Sequence, residues 1–255
     1  MTRIIHLTDT HLFADRGGSL RGTLPAPCLE KVLEHVHEHH PEFDALMITG
    51  DLVQEETEAA YQHFIEFFGN YDCPVLCLPG NHDVPELMHR CLDRAPFRLD
   101  HRVRLAEWDI VQLDSHIPGS PAGRLGEERL AELEQSLQTE PDRPTLVGVH
   151  HPPLDIGTAW LDTIGLKDGP ELLELLGRHP QVRGLIWGHA HQHWDSREGG
   201  LRLLGTPATC AQFLAGSPVF AIDREAPPAY RVLDLSPEGE LHTQLHQLHD
   251  VAIPG

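Results

Sequence analysis

Three histidines occupy alternate positions in the segment WGHAHQH, residues 187–193, directly after the apolar run VRGLIW. Side chains at alternate positions of an extended chain point to the same side, so His189 and His191 can direct two imidazoles to one point. Neutral imidazole nitrogens bind transition metals, and imidazoles transfer protons near neutral pH. The segment therefore predicts a metal-binding or acid–base site just after a buried strand.

Four other apolar runs, residues 3–9, 43–51, 74–80 and 145–151, also end in polar side chains that can bind a metal. The side chains at these four ends are Asp9, His11, Asp51, Asn81, His82, Asp83, His150 and His151. Any one of them would be ordinary in a loop. Buried strand ends normally lack ionisable groups unless these are paired or coordinated, so their repetition at five strand ends predicts one shared site.

The candidate ligands are carboxylates, one amide oxygen and several imidazoles, with no thiolate. This mixture suits iron, manganese or zinc better than calcium or a structural zinc site. The set is larger than one open catalytic ion requires, but it is sufficient for two ions that share a carboxylate, an arrangement common in phosphoryl transfer. We therefore expect two divalent or trivalent metal ions, iron and/or manganese, with zinc as the alternative.

The apolar runs that carry these residues alternate with amphipathic helical patterns. In residues 27–40, Leu29, Val32, Leu33 and Val36 follow helical spacing, and residues 126–137 and 169–179 show similar stripes. Residues 102–115 and 195–206 have the pattern of β-hairpins, which adds antiparallel strands. The pattern predicts an α/β protein with a mixed sheet, or two sheets face to face between helices.

The 255 residues, of which 40% are hydrophobic, are sufficient for one large domain. We expect a single domain over residues 1–255, in which residues 205–255 form C-terminal strands and a tail. His242, His246 and His249 are assigned to the surface of that tail, after the last strand.

A formal net charge of -20 argues against a nucleic acid or an anionic membrane as partner, because both bind to positively charged protein surfaces. The five cysteines include no CxxC pair, which is typical of reduced thiols in a cytoplasmic protein. The first residues, MTRIIHLTDTHLF, do not fit a signal peptide. The sequence therefore predicts a cytoplasmic protein with neither nucleic acid nor membrane as its partner.

The ordered blocks DTH, GD, GNHD, HH and GHAH, which span residues 9–191, resemble the calcineurin-like metallophosphoesterases. The segments TDTHLF, AYQHF, LPGNHD, WLD and TPATCAQF are similar to those of the bacterial class III 3′,5′-cyclic-AMP phosphodiesterases. The resemblance implies a layered α/β/β/α sandwich of two mixed β-sheets flanked by helices. It also places the TPATCAQF segment, residues 206–213, near the active site.

Matched motif by motif, the resemblance implies a ligand for each position of a two-metal centre. The first metal would be held by Asp9, His11 and His191, the second by Asn81, His150 and His189, and Asp51 would lie between them. The first histidine of HHPP, His150, matches the ligand position of the family. Adjacent residues of a strand point to opposite faces, so only one of the pair can face the metals, and His151 is left beside the ligands or the substrate. His193 lies outside the motif. Contacts to the substrate are implied for His11, Asp51, Asn81, His82, His150 and His191.

The activity that the resemblance implies is hydrolysis of 3′,5′-cyclic AMP to 5′-AMP by in-line attack of a metal-bridging hydroxide. His82 would protonate the leaving oxygen, and Asp83 would orient His82 through a hydrogen bond. An alternative substrate is another small phosphodiester, such as a glycerophosphodiester or a 2′,3′-cyclic nucleotide. A non-catalytic scaffold of the same fold is the alternative from a different class.

Overall fold

A computed structural model of the chain describes residues 1–249. The strands are β1 Thr2–Leu7, β2 Ala45–Thr49, β3 Val75–Leu78, β4 Phe97–Arg98, β5 Arg102–Leu105, β6 Trp108–Leu113, β7 Thr145–Val149, β8 Val182–Trp187, β9 Trp194–Glu198, β10 Leu201–Gly205, β11 Gln212–Phe213, β12 Ile222–Asp223, β13 Ala229–Leu235 and β14 Leu241–Gln247. The helices are α1 Pro25–His39, α2 Glu58–Phe68, α3 Pro85–Leu92, α4 Gly126–Thr139, α5 Ala159–Asp162 and α6 Gly169–Gly177.

The strands form two six-stranded sheets and one short two-stranded sheet. The first sheet has the order β14-β13-β1-β2-β3-β4, and the second sheet has the order β5-β6-β7-β8-β10-β9. Strands β1, β2 and β3 are mutually parallel, as are β6, β7 and β8, while β13, β5 and β9 pair antiparallel with their neighbours. Both large sheets are therefore mixed, as the resemblance implies.

Alternation along the strands divides the apolar side chains among three layers. Ile5 and Ile48 lie in a cluster that includes the buried faces of α1 and α2. Ile4 and Met47, their neighbours in sequence, lie in a different cluster, with Trp108 and other residues of the second sheet. A third cluster joins the outer face of the second sheet to α4 and α6. These layers confirm the predicted α/β/β/α sandwich of two mixed β-sheets flanked by helices.

The helices form where an apolar stripe meets a local start signal. Helix α1 begins at Pro25 and buries Leu29, Val32 and Val36 against the first sheet. Helix α2 lies outside the predicted helical segments. Its N-terminus is capped by Thr57, whose side-chain oxygen accepts a hydrogen bond from the backbone amide of Ala60 at 3.2 Å. Helix α3 also lies outside them, because a segment of eight residues shows little periodicity.

The C-terminal strands differ in one respect from the sequence prediction. The two predicted hairpins are present as β5-β6 and β9-β10, but His242 and His246 do not lie in a tail. They belong to β14, which pairs along its length with β13 at the edge of the first sheet. Only Leu241 of β14 is buried, so LHTQLHQ lacks the regular alternation of apolar and polar residues that predicts a half-buried strand. Residues 250–255 of the predicted tail lie outside the described residues.

A buried polar network links the two large sheets beside the ends of β1 and β10. The ring of His6 contacts the hydroxyl of Thr49 at 2.8 Å and that of Thr206 at 2.9 Å. Arg231, which is also buried, donates to Thr206 at 3.1 Å and to the carbonyl of Gly205 at 2.9 Å. Every polar atom of the His6 ring thus has a partner, which a buried imidazole requires.

No helix among residues 1–249 combines the length and the apolar character that crossing a membrane requires.

The His6 network makes the stability of the protein sensitive to acid. Burial and the charge of Arg231 lower the pKa of His6 to about 3. Below about pH 6.5 the unfolded chain takes up a proton at this histidine that the folded chain does not. The free energy of unfolding therefore decreases as the pH is lowered from about 6.5 to about 3. We expect the wild-type protein to lose about 2 kcal/mol more unfolding free energy than the His6→Gln variant between pH 7.5 and pH 5.0, at about 1.4 kcal/mol per pH unit below pH 6.5.

Urea unfolding of the metal-free protein at both pH values measures this difference. His242→Gln, at an exposed histidine of β14, is the matched control and should retain the wild-type pH dependence. Equal pH dependence of wild type and His6→Gln would show that His6 is not neutral in the folded protein.

Candidate metal centre

The predicted ligands lie at the carboxyl ends of five strands, where the two large sheets meet. Strands β1, β2 and β3 contribute from the first sheet, and β7 and β8 contribute from the second. Within each sheet these strands are parallel, so their carboxyl ends lie at the same edge. The packing of one sheet on the other then places the two edges together. We refer to Asp9, His11, Asp51, Asn81, His150, His189 and His191 as the donor cluster.

The backbone is left-handed at most of these positions. Within residues 1–249, seven residues other than glycine have positive φ, and five of them belong to the donor cluster: Asp9 (53°), His11 (44°), Asp51 (49°), His189 (60°) and His191 (50°). A side chain in this conformation costs about 1–2 kcal/mol, so it persists only where the surrounding structure imposes it. Such concentrated strain is typical of functional sites.

Hydrogen bonds between neighbouring loops hold this strained backbone. The amide of Asp9 donates to the carbonyl of Gly50 at 3.1 Å, and the amide of His11 donates to the carbonyl of Asp51 at 2.9 Å. In the second sheet, the amide of Gly188 donates to the carbonyl of His150 at 3.1 Å. Gly188 also has no room for a side chain, because a Cβ there would overlap the hydroxyl of Thr8 and the carboxylate of Asp9.

Asp9, His11 and His191 form one group of donors. Their ligand atoms lie within 4.8 Å of one another, with His191 Nε2 3.2 Å from Asp9 Oδ1 and 3.2 Å from His11 Nε2. The other nitrogen of His191 donates to the carbonyl of Ala211 at 2.6 Å. That bond turns Nε2 toward Asp9 and His11, in the orientation that metal-binding histidines have.

Asn81 and His150 form a second group, next to Asp51. His150 Nε2 lies 3.2 Å from Asn81 Oδ1 and 3.4 Å from Asp51 Oδ2, while its Nδ1 donates to the carbonyl of Thr49 at 2.8 Å. Asp51 Oδ2 also lies 3.7 Å from His11 Nε2, so this carboxylate stands between the two groups. His189 contacts the ring of His150 with a centroid distance of 5.1 Å.

The adjacent histidine, His151, is also close to this second group. Its ligand nitrogen lies within 4.8 Å of those of His150 and His189, but its Nδ1 contacts the hydroxyl of Ser115 at 2.8 Å. Only His150 of the two makes the short contacts to Asn81 and Asp51. The arrangement therefore favours His150 as the ligand.

Burial and neighbouring imidazoles compete for the charge state of the carboxylates. Burial raises the pKa of Asp9, but the charges of His191 and His150 and the hydrogen bond of His191 together lower it to about 2. Burial likewise raises the pKa of Asp51, yet His150 holds it well below its ordinary value. Burial lowers the pKa of His11 and of His189 to about 3. Burial lowers the pKa of His150, but Asp51 and Asp9 raise it further, to about 9. Without metal the cluster therefore holds ionised carboxylates and neutral His11 and His189, and His150 must release a proton to bind a metal.

His82 lies at the rim of the donor cluster. Its ring makes an edge contact with the ring of His11 at a centroid distance of 5.1 Å, and its backbone amide donates to Asp51 Oδ1 at 2.9 Å. The amide nitrogen of Gln54 lies 3.1 Å from His82 Nδ1. Gln54 is absent from the predicted site residues, because nothing in the segment DLVQEE distinguishes it from an ordinary loop residue.

The predicted hydrogen bond between Asp83 and His82 is wrong. The buried carboxylate of Asp83 accepts from the backbone amides of Gly80 at 2.9 Å and Leu52 at 3.2 Å, and from the hydroxyl of Tyr61 at 2.9 Å. These three donors occupy the carboxylate in place of the imidazole. Asp83 therefore connects the loops that carry Asp51 and Asn81, and the partner of His82 is Gln54.

The donor cluster fits two metal ions by its own chemistry. His189 Nε2 is buried and has no hydrogen-bond partner within residues 1–249, which is unfavourable unless another group occupies the site. His11 Nε2 and His191 Nε2 face each other at 3.2 Å beside ionised Asp9, as two ligands of one ion would. The nearby thiol of Cys210 donates to the carbonyl of Asp9 at 3.4 Å and belongs to none of the groups of possible metal ligands among residues 1–249.

A family model described as calcineurin-like phosphoesterase matches residues 2–193, a range that includes the whole donor cluster. The chain belongs to the calcineurin-like phosphoesterase family. Members of this family use two metal ions, in agreement with the two groups of donors and the carboxylate between them.

Relatives of high similarity come from the same family. The chain is 42% identical to the 3′,5′-cyclic adenosine monophosphate phosphodiesterase CpdA of Escherichia coli K12, over 97% of this chain and 90% of the relative. It is 40% identical to the enzyme of the same name from Pseudomonas aeruginosa, again over 97% and 90%. Among solved structures, a dimetal phosphatase from Danio rerio matches with a TM-score of 0.63 and 14% identity, over 91% of this chain and 94% of that one. At that identity the structure supports the fold alone.

The segment TPATCAQF also lies beside the cluster. The amide of Thr209 donates to the carbonyl of Thr8 at 3.2 Å, and Ala211 accepts the bond from His191. Phe213, two residues after Ala211, stacks on the ring of His191 with a centroid distance of 4.1 Å. Residues 206–213 therefore form one side of the site, although they come many residues after the last donor.

A cavity of about 290 Å³ opens onto the donor cluster and His82. A larger cavity of about 810 Å³ lies elsewhere, between Pro153 and Leu173, and none of the donor cluster lines it. Because the smaller cavity contains the convergent polar groups, it is the candidate substrate site.

The contacts of Asp83 predict its effect on metal binding. In Asp83→Asn the amide nitrogen cannot accept a hydrogen bond, so at least one of its three donors loses its partner. We expect stability to fall by about 1–3 kcal/mol, and metal affinity to fall roughly 10- to 100-fold because the loops of Asp51 and Asn81 lose their connection. Urea unfolding and manganese titration measure the two effects.

Asp93→Asn, at an exposed position just after α3, is the control and should match the wild type. Unchanged metal affinity in Asp83→Asn together with slower turnover would instead support orientation of His82 as the role of Asp83.

Proposed function

We propose that the protein hydrolyses 3′,5′-cyclic AMP to 5′-AMP in the cytoplasm, with two metal ions held by the donor cluster. The observation that carries the proposal is the convergence of donors from five strand ends on one cavity, in strained backbone conformations. The substrate is supported by the near full-length similarity to cyclic-AMP phosphodiesterases. The free state of all five cysteines fits the proposed location.

The donors divide between the two ions as the motifs suggest. Asp9, His11 and His191 would hold the first ion, Asn81, His150 and His189 the second, and Asp51 would contact both. Iron and/or manganese suit this mixture of oxygen and nitrogen, and zinc is the alternative. When bound, the ions supply positive charge and Lewis acidity for a phosphodiester in a protein whose net charge is -20.

His82 is the proposed proton donor to the leaving oxygen. It lines the cavity next to Asn81, and the Gln54 amide that donates to its Nδ1 places the ring proton on Nε2. An imidazole with a proton on Nε2 can protonate the 3′ oxygen of the ribose as the bond to phosphorus breaks. Its backbone bond to Asp51 keeps the ring next to the donor cluster.

The alternative functions use the same donors and differ in the molecule that the cavity accepts. A glycerophosphodiester or a 2′,3′-cyclic nucleotide would require a different fit in the same cavity. A non-catalytic scaffold is disfavoured, because every motif position holds a competent ligand and the donors converge.

The test is steady-state hydrolysis after chelation and re-addition of iron or manganese, with metal content measured in parallel. Substrates are 3′,5′-cyclic AMP, 2′,3′-cyclic AMP and a glycerophosphodiester. Asn81→Ala should lose activity together with about one of two ions, because the amide oxygen is a proposed ligand. His82→Ala should keep both ions and lose about 10²-fold or more in kcat.

His193→Ala is the matched control, since this exposed histidine is close in sequence but lies outside the donor cluster. Hydrolysis of the other diesters in preference to 3′,5′-cyclic AMP would overturn the substrate. A metal-loaded protein that hydrolyses none of them would favour the scaffold.

A further inference from the structure

The candidate substrate cavity has two chemically different sides. The donor cluster and His82 form the polar side, and Trp160, Phe213 and Phe220 contribute to the other. We call these three side chains the aromatic wall. The proposed phosphodiester chemistry uses only the polar side, so the aromatic wall has no role in it.

The three rings of the aromatic wall pack edge to face. Ring centroids are 5.1 Å apart for Trp160 and Phe213, 5.1 Å for Trp160 and Phe220, and 5.4 Å for Phe213 and Phe220, with interplanar angles of 65–75°. This geometry is the favourable one for aromatic pairs and restrains each ring. The wall is therefore a preorganised surface.

The aromatic wall is attached directly to the donor cluster. Phe213 stacks on the ring of His191 at a centroid distance of 4.1 Å and an interplanar angle of 18°. The short helix α5, which carries Trp160, is held at its two ends. Asp162 accepts from the amide of Ile156 at 2.8 Å, and Thr158 accepts from the amide of Gly216 at 3.0 Å. When one end of a ligand binds at the donor cluster, the aromatic wall is therefore close enough to contact the group attached to that end.

Part of this surface is exposed to solvent. Phe220 is 44% exposed, and it is one of few large apolar side chains that are exposed among the described residues. The guanidinium of Arg21, another residue of the cavity, lies 4.9 Å from the centre of the Phe220 ring and restrains it. An aromatic side chain held in place at the mouth of a polar cavity is suited to a flat, apolar part of a ligand.

We propose that the aromatic wall binds the planar heteroaromatic base of the nucleotide by stacking, while the phosphodiester lies at the donor cluster. The inference rests on the proposed function, because it assigns a binding surface to the base of the same substrate. Stacking of bases on aromatic side chains is a strong and general interaction. Trp160, Phe213 and Phe220 then make the site selective for nucleotides over phosphodiesters that have no base.

The test compares two substrates of the metal-loaded enzyme that differ by the presence of the base. One is 3′,5′-cyclic AMP, and the other is 1-deoxyribose 3′,5′-cyclic phosphate, which has the same phosphodiester ring. We expect the wild type to favour cyclic AMP in kcat/KM by about tenfold or more. Phe220→Ala and Trp160→Leu should each lower kcat/KM for cyclic AMP by about tenfold and change that for the base-free substrate by less than about twofold.

Leu214→Ala is the matched control, because Leu214 is also 44% exposed on the same loop but does not line the cavity. It should behave as the wild type with both substrates. Phe220→Ala removes an exposed side chain, so it tests the wall even if Trp160→Leu fails to fold.

The outcomes separate this inference from the proposed function. Equal kcat/KM of the wild type for both substrates, or equal losses for both in Phe220→Ala, would overturn the aromatic subsite and leave the phosphodiesterase activity intact. Hydrolysis of neither substrate by the metal-loaded wild type would overturn the proposed function and the subsite with it.

Discussion

The site depends on backbone that is held in the left-handed region at the ends of strands. Five residues of the donor cluster adopt this conformation, and each would relax to an ordinary loop if it were released. Relaxation is prevented by the bonding of one strand-end loop to the next, such as Asp9 to Gly50 and His11 to Asp51. The side chains are thereby directed to one region rather than along the strand axes. Part of the stability of the sandwich thus offsets the strain of the donors.

The same loops depend on groups that never reach the cavity. Asp83 uses its carboxylate to join the backbone at Leu52 and Gly80, and Gly80 itself lies too close to Asp51 to accept a side chain. The imidazole of His150 is fixed by the backbone carbonyl of Thr49. Each of these contacts fixes a donor, or the loop that carries it, from the side away from the cavity. Several ionisable groups are thereby held close together in a buried site, where they would otherwise repel or protonate one another.

The donor cluster and most of the aromatic wall come from different parts of the chain. The five strand ends supply the donor cluster from residues 9–191, whereas the aromatic wall takes Trp160 from α5 and Phe213 and Phe220 from the segment after β10. The stack of Phe213 on His191 joins the two parts. If the aromatic wall binds the base as proposed, a change in the later segment alters which phosphodiester binds without removing a proposed metal ligand.

The sequence alone determined the donor types and their position at strand ends, because the strands follow from local periodicity and the donors lie in short contiguous motifs. The two-sheet sandwich followed from the resemblance of those motifs to a known family, since periodicity also allowed a single mixed sheet. The sequence also predicted both hairpins. Only the tertiary structure decided which groups meet across the fold: that Asp83 bonds to Tyr61 and the backbone, that Gln54 reaches His82, and that β14 completes the first sheet at its edge. These contacts join residues on separate elements, and no spacing along the chain encodes the packing of one sheet on the other that brings such elements together.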